Sequence, residues 1–217
     1  MLPVAIDTYQ FEASPARALY WPVSSSLLLA DLHLGKADTF RQHGIAVPQS
    51  VQWGDLERLS ALLVQYQPAT CYVLGDLIHG RTLHALTVQA WNALVMAHPH
   101  TRFELVEGNH DRTLQRHALQ LHAVHSTLWL GDVCLSHEPL PIEILLAIKH
   151  RALNIHGHIH PAVKIAGSRS KLPALIYQPP YFMLPAFSEF TAGVVVQNHG
   201  QRIWVCVESE GLVIPLS

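Results

Sequence analysis

Charge is scarce in this chain. Asp, Glu, Lys and Arg make up 14% of its 217 residues, and their balance is −2 with histidine counted as neutral. That excludes a strongly basic nucleic-acid-binding surface at the level of the whole chain. With 49% apolar residues, the composition is also far from that of a disordered segment. Long hydrophobic runs are missing too. The longest, around residues 27–30, is far too short to span a bilayer, so no membrane partner is expected. The opening stretch MLPVAIDTYQFEAS lacks a basic region and brings in acids early, which argues against a secretory signal. Cysteine is sparse. Cys71, Cys134 and Cys206 are odd in number, far apart, and each sits in an apolar strand-like run. They read as reduced core residues of a cytoplasmic protein, not as a disulfide framework or a zinc knuckle.

What the chain has in excess is histidine: sixteen, against fourteen Lys and Arg together. Histidine is the commonest metal ligand and the usual acid–base group near neutral pH. The length suits one domain, expected over residues 1–217. No internal repeat, low-complexity tract or linker interrupts it. VSSSLLLAD reads as a buried strand. Residues 51–66 carry Val51, Leu56, Leu59, Leu62, Leu63 and Tyr66 at a helical period. A strand (ATCYVLGD), a helix stopped by Pro99, and another strand (RFELVEGNHD) follow. TLWLGDVCLSHE reads as a hairpin, PIEILLAIKHRA as a short helix opened by Pro141, and the remainder as mostly β. Alternating strands and helices with a β-rich tail predict an α/β fold, a two-sheet αββα sandwich with helices outside.

The polar residues fall at the ends of the apolar strands. The clusters are Ala30-Asp31-Leu32-His33, Gly75-Asp76, Gly108-Asn109-His110-Asp111, Ser136-His137-Glu138 and Gly157-His158-Ile159-His160. Ligands of open α/β sheets bind at the carboxyl ends of strands, so these ends imply one shared site. In extended chain, residues i and i+2 point the same way. Asp31 and His33 are thereby expected to reach one ion with Leu32 turned inward, and His158 and His160 to repeat the arrangement around Ile159. Asp76 follows a glycine, which lets the backbone turn sharply and aim the carboxylate into the cleft. Asn109 adds an amide oxygen and His137 another imidazole. Four nitrogens, two carboxylates and one amide oxygen suit a pair of divalent ions such as Mn²⁺, Fe²⁺ or Zn²⁺. The set is too rich in nitrogen for Mg²⁺ or Ca²⁺ alone.

In this order, DLH, GD, GNHD, a lone SH and GHIH resemble the five motifs of the calcineurin-like metallophosphoesterase superfamily, spanning Asp31 to His160. LLLADLHLGKADTFRQHGIAVP, VLGDLIHGR, VEGNHDR and IHGHIHPAV look most like the bacterial ligase-associated DNA damage response endonucleases of the PdeM type. The resemblance implies a metallophosphoesterase sandwich without a capping domain. It also implies two divalent ions, Mn²⁺ first, with Fe²⁺ or Zn²⁺ as alternatives. One ion would take Asp31, His33 and His160, the other Asn109, His137 and His158, with Asp76 bridging. A metal-activated water would attack a DNA phosphodiester. His110 would contact the phosphate and protonate the leaving oxygen, and Asp111 would orient His110. His79, in a stretch that departs from the related nuclease pattern at Ile78, and Arg112 are further substrate contacts. The implied substrate is DNA in single-stranded or looped regions, in repair, with a functional link to a ligase, an exonuclease and a helicase.

Each motif taken singly has a plainer explanation: a structural Asp–His pair, a Gly-Asp turn, a helix cap. His156 shares the spacing of the two ligands after it but lies outside the motif, and is expected to hydrogen-bond or pack near the ions. Tyr177, Tyr181 and Phe182 in YQPPYF could stack a base, or simply pack a loop over a sheet. Lys164, Arg169 and Lys171 form the densest basic stretch, which could track a nucleic-acid backbone or form a solvated hairpin tip. Two alternatives to a DNA endonuclease stay open: a phosphoesterase for small molecules or nucleotides on the same chemistry, and a non-catalytic scaffold.

Overall fold

A computed structural model describes residues 1–217 apart from 43, 46–48, 81–82, 113–116, 149–150, 166–169, 198 and 217. Two sheets face each other. The first runs in chain order: β1 (Leu2–Ile6), β2 (Tyr9–Ser14), β3 (Ala18–Trp21), β4 (Ser26–Leu29), β5 (Thr70–Leu74), β6 (Arg102–Val106) and β7 (Ala123–His125). β1 to β4 form an antiparallel meander, and β4 to β7 run parallel. The three N-terminal strands were not assigned from the sequence. Each is short, and they turn at Asp7 and Arg17, both at positive φ (50° and 64°).

β4, β5 and β6 are buried on both faces along most of their length, which is why they read as nearly continuous apolar runs. Alternation divides them. Leu27, Leu29, Cys71, Val73, Phe103 and Leu105 turn to one side, where α2 (Gln49–Tyr66) and α3 (Ala85–Ala97) bring Leu59, Leu63, Trp91 and Leu94. Leu28, Ala30, Tyr72, Leu74 and Val106 turn the other way, into the space between the sheets. The short α1 (Lys36–Gln42) precedes α2. His84, one of the histidines without a motif, caps α3 by accepting the N–H of Leu86.

The second sheet holds β8 (Leu128–Leu130), β9 (Val133–Ser136), β10 (Leu153–His156), β11 (Pro161–Lys164), β12 (Lys171–Gln178), β13 (Tyr181–Met183), β14 (Val194–Val195), β15 (Arg202–Val207) and β16 (Leu212–Leu216). The Gly131-Asp132 turn joins β8 to β9 as the sequence predicts. Val133, Leu135, Leu153, Ile155, Leu175, Phe182 and Trp204 meet the first sheet, and each fully buried side chain of this size contributes about 1.5–3 kcal/mol. The outer face carries α4 (Ile142–Ile148), whose Leu145 packs with Cys134 and Ala152. The two-sheet α/β sandwich is therefore as expected. Tyr177 and Phe182 are buried in the core between the sheets, and the Tyr181 hydroxyl donates to the Leu140 carbonyl, so YQPPYF packs instead of stacking a base. All three cysteines are free and buried. No helix among the described residues is long and apolar enough to cross a membrane.

Candidate metal centre

The polar strand ends meet in one place, as the sequence implies, but the local geometry differs from the expected one. Asp31 (φ 57°), His33 (52°), Asp76 (50°), His158 (66°) and His160 (51°) all lie in the left-handed region, not in extended chain. That region is unfavourable for a side chain with a Cβ, so tertiary contacts must hold it. They do. The backbone N–H groups of Asp31 and His33 donate to the carbonyls of Gly75 and Asp76, at 3.0 and 2.9 Å. Three glycines make the approach possible. A Cβ on Gly75 would meet the His137 ring at 2.1 Å, one on Gly108 the Asp76 carboxylate at 2.4 Å, and one on Gly157 the Asp31 carboxylate at 2.6 Å.

One donor atom from each of Asp31, His33 and His160 lies within 4.8 Å of the others, and the same is true of Asp31, Asp76 and His137. The protons can be placed by chemistry. His137 Nδ1 is 3.0 Å from the Leu74 carbonyl, which only accepts, so Nδ1 carries the hydrogen and Nε2 presents its lone pair. That Nε2 lies 3.5 Å from Asp76 Oδ1 and 3.1 Å from His158 Nδ1. His33 Nδ1 is 2.8 Å from the Thr191 hydroxyl, leaving Nε2 to face Asp76 Oδ2 at 3.5 Å. Asp31 Oδ1 and His160 Nε2 are buried, 3.0 Å apart, and neither has a hydrogen-bond partner. Buried polar atoms are rarely left this way. Lone pairs of mixed nitrogen and oxygen type converging on one space are what a borderline divalent cation needs, so the residues present fit a metal centre.

Asp76 sits at the junction. Burial would raise its carboxyl pKa, but the His33 hydrogen bond, the neighbouring His137 and the His110 backbone N–H (3.1 Å) outweigh it and bring it to about 2. It is a carboxylate at any working pH. His110 stands on the rim, its side chain 47% exposed and its Nε2 3.9 Å from Asp76 Oδ2. His79 packs between His33 and His110, with ring centroids at 5.3 and 5.1 Å. Burial first, then the charges of His33, Lys36 and His110, hold its imidazole down at about 4, hence neutral near pH 7.

Other assignments change. Asp111 does not orient the His110 ring. Its two oxygens accept the backbone N–H groups of Ile78 (3.0 Å) and Gly108 (2.8 Å), so it ties the loop after β6 to the loop after β5. Asn109 is exposed in that first loop. Arg112 is exposed, with no hydrogen bond or ion pair to another described residue at the site. His156 is almost fully buried. Its Nδ1 bonds the Gly157 carbonyl at 3.0 Å, and its ring meets Tyr181 edge-on. On β10, Leu153 and Ile155 face the first sheet, so Asn154 and His156 take the opposite face. The left-handed residues that follow break the parity that seemed to unite the three histidines.

No motif or spacing points to Thr191. The chain after β13 returns to the end of β4, with Phe187 N–H on the Ala30 carbonyl and Ser188 N–H on that of Asp31. This brings Thr191 behind His33, where its oxygen also receives Lys36 Nζ at 2.9 Å. A group that fixes the far nitrogen of a ligating histidine sets its orientation and basicity.

Neither a family model nor a curated protein sequence matches the chain. Among solved structures, nuclease MPE from Pseudomonas putida superposes with a TM-score of 0.82 at 28% sequence identity, covering 99% of both chains. The phosphoesterase YfcE from E. coli (16% identity, 87% of this chain and 96% of that one, TM-score 0.48) and an archaeal phosphodiesterase (11%, 87% and 96%, 0.43) match too loosely to bear on function. The chain shares its fold end to end with the Pseudomonas nuclease, and its candidate ligand residues leave the strands in the order of the metallophosphoesterase motifs that the sequence resembles.

Proposed function

We propose that this chain is a binuclear-metal phosphodiesterase that cuts DNA as an endonuclease. The observation that carries the reading is the convergence of Asp31, His33, Asp76, His137 and His160 at the strand ends of two sheets. The likeness to a nuclease over the whole chain supports it. Asp31, His33 and His160 would hold one ion, and Asn109, His137 and His158 the other, with Asp76 shared. When bound, such a pair supplies a water of lowered pKa and positive charge for the phosphoryl oxygens, and Mn²⁺ is the first candidate, before Fe²⁺ or Zn²⁺.

The chain's own groups do the rest. His110, exposed at the rim beside Asp76, protonates the leaving oxygen. His79, neutral and wedged between His33 and His110, offers the phosphate a hydrogen bond without adding charge. Asp111 keeps the loop carrying Asn109 and His110 closed onto the loop carrying Asp76. The reading extends to single-stranded or looped DNA in repair, functionally linked to a ligase, an exonuclease and a helicase. It also extends to the cytoplasm, which suits three free, buried thiols.

Incubation of a covalently closed single-stranded DNA circle with Mn²⁺, with and without chelator, tests this. Linearisation that the chelator abolishes supports the endonuclease. Hydrolysis of nitrophenyl esters alone overturns it in favour of a small-molecule phosphoesterase. Inactivity on both substrates indicates a scaffold.

A further inference from the structure

The inner face of the second sheet does not end with the core. On β12, Leu175 and Tyr177 pack between the sheets, and by alternation Pro173 and Lys171 continue the same face. The antiparallel register sets Ala162 opposite Pro173 and Lys164 opposite Lys171. Here the face opens, and both lysines are exposed. Ala162, Pro173 and Lys171 line a cleft of about 410 Å³ whose other walls include His160 and Thr191. The cleft thus shares two walls with the metal centre: a ligand and the group behind a ligand.

Like charges directly opposite each other on paired strands are destabilising. Among the described residues, neither lysine meets a carboxylate, and Lys171 Nζ bonds only the Gly193 carbonyl, at 3.2 Å. Glu189, on the cleft wall, is already paired with Arg58 at 3.1 Å. Arg17, deeper in the wall, is committed to the carbonyls of Phe187 and Ser188 and to Glu208. What remains is Lys171 on the cleft wall with Lys164 opposite it on the paired strand, neither neutralised by a described residue, beside the candidate catalytic centre. Arg169, in the same basic stretch, lies outside the described residues.

We propose that this strand pair is a subsite for the sugar–phosphate backbone of single-stranded nucleic acid. Lys164 and Lys171 would hold phosphates of the nucleotides next to the one at the metals. A lone phosphate ester is too small to need the cleft, whereas a polyanion offers repeated charge to two adjacent lysines. The proposal rests on the nuclease reading and adds the strand's path.

The test uses the Mn²⁺-loaded protein and the double variant Lys164→Ala/Lys171→Ala, on a long single-stranded oligonucleotide and on bis(p-nitrophenyl) phosphate, across a salt series. Relative to the small diester, KM for the oligonucleotide should rise about 10-fold near physiological salt. The slope of log(kcat/KM) against log salt should flatten by about 1.4, for two phosphate contacts on a single strand. Lys164→Arg/Lys171→Arg should restore both, which separates charge from folding. If the parent cuts the oligonucleotide and the alanine variant matches it in KM and slope, the subsite is wrong and the nuclease reading stands. If the parent hydrolyses the small diester but leaves the oligonucleotide intact, both fall together.

Discussion

The two halves of the cleft are built differently. The half holding Asp31, His33 and His160 is enclosed: Asp31 is fully buried, His33 nearly so, and Thr191 fixes His33 from behind. The other half, proposed to bring Asn109 to His137 and His158, has one buried member, His137, and two exposed ones. The first half is pre-organised before any ion arrives, while the second depends on exposed side chains that an ion must order. Two ions bound there should therefore differ in affinity, the enclosed one being tighter.

Asp76 faces both halves, with His33 and His137 each 3.5 Å away. Asp76→Ala should break the comparison outright by removing activity and lowering metal content in both halves while the fold persists. Elemental analysis beside circular dichroism checks this, and full activity in the variant would end the two-metal reading. His110 comes next. A DNA alkoxide needs a proton to leave and a nitrophenolate does not. His110→Ala should cost about 10²–10⁴-fold on DNA and much less on a nitrophenyl diester, with both ions retained. Equal losses on the two substrates would leave His110 only an electrostatic role.

Thr191→Val sharpens the contrast between the halves. It removes the partner of His33 Nδ1 and should weaken the tighter ion about 10–100-fold, leaving the weaker one unchanged. Calorimetric Mn²⁺ titration separates the two, and a uniform weakening would show that the halves are not independent. The smallest effect belongs to His156. His156→Gln should keep both ions and cost about 1–3 kcal/mol of stability, through the lost bond to Gly157 and the lost contact with Tyr181. Loss of an ion in that variant would place His156 inside the centre after all.

Much of this site was legible in the sequence because of how parallel strands are made. Buried on both faces, they show as apolar runs, and the first polar residue after each run marks a strand end. Asp31 and Asp76 could be read that way, and His137 one residue after Ser136. What could not be read depends on parts of the chain distant in sequence. The left-handed turns at His158 and His160 exist because Gly157 lets the chain press against Ala30 and Asp31. Asp111 accepts the backbone N–H groups of Ile78 and Gly108 instead of orienting the ring of its neighbour His110. Thr191 arrives only because Phe187 and Ser188 bond the end of β4. The N-terminal meander was missed for a local reason: strands such as YQFEAS mix polar and apolar residues too briefly to show a period.

The left-handed residues have a mechanical consequence. In an ordinary loop the bend and the functional group are separate, and the segment between them acts as a spring. At Asp31, His33, Asp76 and His160, the residue that bends the chain also bears the donor atom. No slack lies between pivot and tip, so each donor inherits the stiffness of the strand behind it. Such a cleft has little compliance with which to accommodate an ion of the wrong radius, and it would discriminate by refusing to deform.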